Sequence, residues 1–116
     1  MTTIFVFGSN LAGRHGAGAA AHAARNWGAV YGVGEGIQGR SYGIPTKDEM
    51  IMTRPLKDIA DSVKRFLKYA AAHPGDSFLV TAIGCGLAGY EPAQIAPMFK
   101  GATENVFLSA RLAEAL

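Results

Sequence analysis

Phe7–Ala21, FGSNLAGRHGAGAAA, decides how the chain is read. It follows Thr3–Phe7, TIFVF, a β-branched and aromatic run that predicts a buried strand ended by Gly8. Beyond the glycines, Ala17–Trp27 has high helix propensity and no proline, so a helix with small, sheet-hugging side chains is expected. Strand, bare loop and helix form the opening unit.

The same unit recurs later. Phe78–Ile83, FLVTAI, predicts a second buried strand that delivers Gly84–Gly89, GCGLAG, and then a short helix over Pro92–Phe99. Between the two units, Ala29–Arg40 is too glycine-rich for a helix and reads as a loop or a ragged edge strand. Ser41–Pro45 reads as a short strand running into the polar turn Thr46–Glu49. Pro55–His73 sets Leu56, Ile59, Ala60, Val63, Phe66, Leu67 and Ala70 on one stripe, which predicts the longest amphipathic helix, stopped by Pro74-Gly75. Asn105–Leu108 is a last strand, and Ser109–Leu116 a helical or frayed tail. The alternation predicts one α/β domain over 1–116, a three-layer α/β/α sandwich around a mostly parallel sheet.

The totals agree with a folded domain: 116 residues, 17% charged, net charge +2. Charges are scattered, so no basic arm points to nucleic acid. The lone Cys85 excludes an internal disulfide and has no zinc-like spacing around it. No signal-peptide pattern is present, and the longest weakly charged stretch, Phe78–Tyr90, is too short to cross a bilayer, so a cytoplasmic protein without membrane attachment is expected. Glycine is the unusual component. Of 15 glycines, all but Gly75 and Gly101 fall in Gly8–Gly18, Gly28–Gly43 and Gly84–Gly89, where Cβ atoms are excluded.

Ligands of open α/β sheets settle outside the carboxyl ends of the strands. Both glycine loops leave such ends and enter helices, so together they predict a crevice lined by peptide N–H groups and suited to phosphate. Walker A is absent, because no lysine followed by Ser or Thr closes a glycine loop. Gly16–Ala21 satisfies the dinucleotide fingerprint G-x-G-x-x-A, yet it starts well past Phe7 and Glu35 sits in a glycine loop. A Rossmann-like nucleotide site unrelated to ADP-ribose stands as a lesser reading.

The order of GSNLAG around Asn10, the GAGAAAHA helix start, SYGIPTKD and TAIGCGLAGYEPAQIAPMF resembles the macro domain family over Thr3–Lys100. It is most similar to the compact bacterial branch that includes the DNA ADP-ribosylglycohydrolases. Ala88 replaces a usual glycine, and the acidic residue commonly near adenine has no counterpart. The resemblance implies an ADP-ribose binder, with Gly84, Cys85, Gly86, Leu87, Ala88, Gly89 and Tyr90 around the diphosphate and Asn10 near the distal ribose. It associates the lysine of the P-T-K motif, here Lys47, with cleavage of an ADP-ribosyl linkage. The carrier would be a nucleic acid, a protein or a small nucleotide. A binder that senses or sequesters such a nucleotide, as a phage-encoded protein would, is the alternative.

Candidate residues follow from both readings. Gly8, Ser9, Leu11, Ala12, Gly13, Gly16 and Gly18 would bring backbone to the ligand, with Thr46 beside them. Asn10 can orient ribose or water, or simply close a turn. Lys47 and Asp48 stand at a strand end, as catalytic groups or as a solvated turn. His15, beside Arg14, is read as a phosphate or ribose contact, and His22 and His73 as surface residues. Cys85 lacks the glycine spacing of a nucleophile elbow and reads as a small buried loop residue. Tyr90 either stacks on the ligand or caps its loop. Glu35 with Arg40 marks either a lid or a charged hairpin tip. No metal or cofactor is required, and the apolar tail Val106–Leu116 offers a surface for a homo-oligomer.

Overall fold

The computed structural model describes residues Met1–Leu116. Five strands form one sheet: β1 (Thr3–Asn10), β2 (Gly36–Gln38), β3 (Ser41–Lys47), β4 (Ser77–Val80) and β5 (Val106–Leu108), ordered β2-β3-β1-β4-β5. The pairs β1–β3, β1–β4 and β4–β5 are parallel, and β2 pairs antiparallel with β3 at one edge. The helices are α1 (Gly18–Asn26), α2 (Leu56–Ala72), α3 (Pro92–Ile95) and α4 (Ala110–Ala113). The stretch read as one helix over Pro92–Phe99 is divided, with a 3-10 turn over Ala96–Phe99 after α3. Pro97 has no N–H to donate back, which disfavours a continuous α-helix there.

Alternation along β1 sorts the two faces. Ile4 and Val6 point into the main core, where Phe66 of α2 lies at ring-centroid distances of 5.0 Å from Tyr42, 5.5 Å from Phe78 and 6.3 Å from Phe99. Helices α2, α3 and α4 all contribute to this side. On the other face Phe7 packs on Ala20 and Ala23 of α1, whose alanines let the helix lie close. Chain leaving β1 therefore passes to one face, and chain leaving β3 and β4 to the other. That divergence opens the sheet at the carboxyl end of its central strand.

Strand β1 runs three residues past its predicted end. Gly8–Asn10 remain paired because β3 continues beside them to Lys47, with an irregularity between Ser9 and Asn10. Conversely β4 ends at Val80, three residues early. Thr81 still ties back, its N–H and hydroxyl both donating to Val6 O, but Ile83 N–H turns to Thr81 O and the chain leaves the sheet.

The glycine-rich segment before β3 is no lid. It lies backbone to backbone against the first loop: a Cβ on Gly34 would collide with the carbonyl oxygens of Asn10 and Leu11, and one on Gly13 with Gly32 and Val33. Ser9 Oγ donates to Gly34 O, and Gln38 bridges the segment internally by accepting Val30 N–H at 2.8 Å and donating to Val33 O at 3.0 Å. Glu35 is pinned to α2 by Arg65, through Nε at 2.5 Å and Nη2 at 2.9 Å, while Arg40 lies over the Trp27 ring. Burial alone would raise the Glu35 carboxyl, but the hydrogen bonds and charge of Arg65, with the Ser62 hydroxyl, hold it below its ordinary 4.5.

Two outcomes follow. Gly34→Ala should destabilise the fold by about 2–4 kcal/mol in urea unfolding, since backbone must move to admit one methyl. Gly75→Ala, in open space, should stay within about 0.5 kcal/mol of the parent. For Glu35, a depressed carboxyl stabilises the fold above the unfolded-state value and loses that contribution as pH falls through the lower folded-state value. The midpoint difference between the parent and Glu35→Gln should thus be present at pH 7 and vanish in acid below pH 4.5; a difference that is constant with pH would contradict the pairing.

Candidate functional site

Where the sheet opens lies a cavity of about 490 Å³, within the ~300–1,000 Å³ usual for small-molecule sites. Its floor is Gly8, Ser9 and Asn10 from β1 with Thr46 and Lys47 from β3. One wall is Arg14 and Gly16–Ala20, and the other is Thr81–Gly84 with Gly86–Ala88. Ile51 reaches in from the turn after β3.

The two walls share one physical property. No backbone carbonyl accepts the N–H of Gly16, Ala17, Gly18, Ala19 or Ala20, and helix α1 has neither a side-chain cap nor an acidic residue in its first turn. Opposite, the N–H groups of Gly84, Gly86, Leu87 and Ala88 are likewise donated to no carbonyl. Two rows of unpaired donors, one carrying the positive end of a helix dipole, border a single cavity. Arg14 and Lys47 add two cations, and the one salt bridge of the protein, Glu35–Arg65, involves neither. No Asp or Glu lines the cavity. Such a lining favours an anion with several acceptor oxygens.

Asn10 is buried and holds the first wall in shape. Its Oδ1 accepts Arg14 N–H and its Nδ2 donates to Arg14 O, both at 2.9 Å, which is the turn-closing role the residue type also allowed. One N–H and one lone pair of the amide remain for a ligand. Lys47 lies in the lining, whereas Asp48 does not. Asp48 Oδ1 accepts the N–H groups of Met50 and Met52 at 2.9 and 3.0 Å and so shapes the next turn. That turn forces Ile51 to φ 62°, a left-handed conformation costing a β-branched residue about 1–3 kcal/mol.

Gly8, Ser9, Gly16, Gly18, Thr46, Gly84, Gly86, Leu87 and Ala88 all reach the cavity; Leu11, Ala12, Gly13, Gly89 and Tyr90 do not line it. His15 points the other way. It is buried against Phe7, with Nε2 2.9 Å from Val30 O and 3.1 Å from Gln38 Oε1, two acceptors that require the proton on Nε2. Tyr90 caps its loop, donating from its hydroxyl to Arg54 O at 2.7 Å. Cys85 packs against the main core, where burial pushes its thiol up. Gly84, at φ 73°, takes a conformation that suits glycine. No three His, Cys, Asp or Glu side chains are grouped to hold a metal, and no helix is long and apolar enough to cross a membrane.

Arg14 and Ala17 lie within the Leu11–Gly18 backbone run expected at the ligand but were not singled out, and Ala19, Ala20, Ile51 and Thr81–Ile83 line the cavity without having been expected there. Arg14 was signalled by its place inside the loop. Ile51 had no signal, since β-branched residues rarely turn left-handed.

No protein-family model matches the chain, and no curated protein matches it significantly. Among solved structures two share its architecture, a compact α/β fold. A chain of Thermosipho africanus DarTG, determined in complex with ADP-ribose, superposes with TM-score 0.65 at 19% identity over 95% of this chain. This chain spans 38% of that one. A protein of unknown function from Bacteroides thetaiotaomicron superposes with TM-score 0.63 at 16% identity, over 93% of this chain and 88% of that one.

Ile51→Asn should raise the unfolding free energy by about 1 kcal/mol, because asparagine tolerates φ > 0, while removing an apolar side chain from the cavity. Unchanged or lowered stability in thermal unfolding would show that the turn does not store strain.

Proposed function

We propose that the cavity binds ADP-ribose or a closely related nucleotide. The observation that carries this reading is the pair of unpaired N–H rows, from Gly16–Ala20 and from Gly84 with Gly86–Ala88, bordering one cavity with Arg14 and Lys47. A diphosphate has the charge and the number of acceptors to satisfy both rows at once. The ADP-ribose complex formed by the Thermosipho protein of the same fold supports the choice of nucleotide. In this reading Asn10 fixes the Arg14 loop and offers its second N–H to the distal ribose.

We further propose that the protein hydrolyses an ADP-ribosyl linkage. Water adds at the anomeric carbon of the distal ribose, the bond to the carrier breaks, and the carrier leaves with a proton. Lys47 acts on the carrier side of that bond, where its ammonium stabilises the negative charge that develops on the departing atom while the anomeric carbon becomes electron-poor. A second reading, a binder that senses or sequesters the nucleotide, is favoured by one feature: no carboxylate lines the cavity to activate water, and Asp48 is committed to its own turn.

Calorimetry should show ADP-ribose binding that weakens about tenfold in Arg14→Ala. Incubation with mono-ADP-ribosylated protein and DNA should release ADP-ribose, and Lys47→Ala should slow release about 100-fold. Tight binding without release would establish the second reading, and stronger stabilisation by AMP or NAD than by ADP-ribose would overturn both.

A further inference from the structure

The mouth of the cavity has a chemistry that a nucleotide alone does not explain. Of the twelve large apolar side chains exposed on the protein, Ile51 and Leu87 line the cavity and Leu11, Met50 and Met52 are chain neighbours of lining residues; the five are 37%, 76%, 37%, 79% and 64% exposed. They are held together. Leu11 N–H donates to Lys47 O at 3.0 Å, Asp48 Oδ1 holds Met50 and Met52, and Thr53 Oγ1 donates across to Ala88 O at 3.1 Å. Ile51 and Leu87 line the cavity itself, so the apolar rim is continuous with the ligand site.

Its charge is as telling as its apolarity. The cations Arg14 and Lys47 are inside the cavity lining, and the turn outside carries the acids Asp48 and Glu49. Nucleic acid is bound chiefly through Lys and Arg on its phosphates; the basic residue next along this turn, Arg54, is turned onto Pro45 O and Ser62 Oγ, and the acids Asp48 and Glu49 repel phosphate. A polypeptide with apolar side chains meets the rim on its own terms, by removing thioether and aliphatic surface from water.

We propose that this rim is the docking surface for the carrier of the ADP-ribosyl group, and that the carrier is a polypeptide segment with apolar residues flanking the modified one. The inference rests on the ADP-ribose reading of the cavity and adds the substrate class. Leu87 and Ile51 would lie over the junction between ribose and carrier, with Met50 and Met52 adapting to the flanking side chains.

The test uses the full chain and ADP-ribose joined by an uncleavable linker to three carriers: a peptide flanked by leucine and methionine, a peptide flanked by glycine and serine, and a single-stranded oligonucleotide. Free ADP-ribose is the reference. The apolar conjugate should bind ~10-fold more tightly than free ADP-ribose, the scale expected from burying a few apolar groups. The double substitution Met50→Gln/Met52→Gln, which is polar but neutral, should remove that gain and leave the affinity for free ADP-ribose unchanged. The proposal is overturned if the oligonucleotide or the polar peptide binds as tightly as the apolar one, or if the gain survives the double substitution. Absence of binding by free ADP-ribose overturns the reading beneath it, and the inference with it.

Discussion

Two stretches of backbone meet beneath the cavity with no side chain between them. Gly34 lies against the carbonyls of Asn10 and Leu11, and Gly13 against Gly32 and Val33, so closely that a methyl group fits at neither. This seam fixes the first loop. Once it is fixed, Asn10 can close on both polar groups of the Arg14 backbone, and α1 must start where its first turn faces the opened sheet. His15 and Gln38 bolt the same loop down from behind, with Nε2 and Oε1 3.1 Å apart. The glycines of the loop thus serve two ends, packing at Gly13 and exposure of N–H groups at Gly16 and Gly18.

The rest of the molecule supplies the opposing wall. The core around Phe66 anchors α2 and holds β3 and β4 on either side of β1. Thr81 ties the end of β4 to Val6 before the chain turns away, and Tyr90 and Thr53 fasten the second loop to the segment after β3. Each wall is therefore built on rigid structure, and the unpaired N–H groups need no reorganisation to meet an anion. The strained Ile51 is consistent with that economy: a cost of about 1–3 kcal/mol is sustained by Asp48 to keep an apolar side chain at the mouth.

The architecture was legible because it is written in hydrophobic period. β-Branched runs marked β1 and β4, and the stripe from Leu56 to Ala70 marked α2 within a residue or two at each end. Both loops of the site were legible because glycine clusters directly after buried strands have few other uses. What was not legible depends on tertiary partners. Gly8 reads as a strand breaker, yet β3 keeps it paired. The stretch around Glu35 reads as a loop or an edge strand, and as a lid or a charged hairpin tip; Gly36 does start the edge strand β2, while Gly34 fills a seam that no lid would have. His15 looked like a ligand contact because its neighbours Arg14 and Gly16 line the cavity, and only packing against Phe7 shows that it turns inward. Arg14 and Lys47 were visible as residues, but their shared cavity with no lining acid appears only in three dimensions.

The central claim is that a diphosphate bridges the two N–H rows. A crystal of the protein soaked with ADP-ribose tests it most directly. The diphosphate oxygens should lie within hydrogen-bond reach of N–H groups from both rows, Gly16–Ala20 and Gly84 with Gly86–Ala88, with the distal ribose near Asn10 and Lys47. Well-defined ligand density at any other place on the protein, or contacts to one row alone, would contradict it.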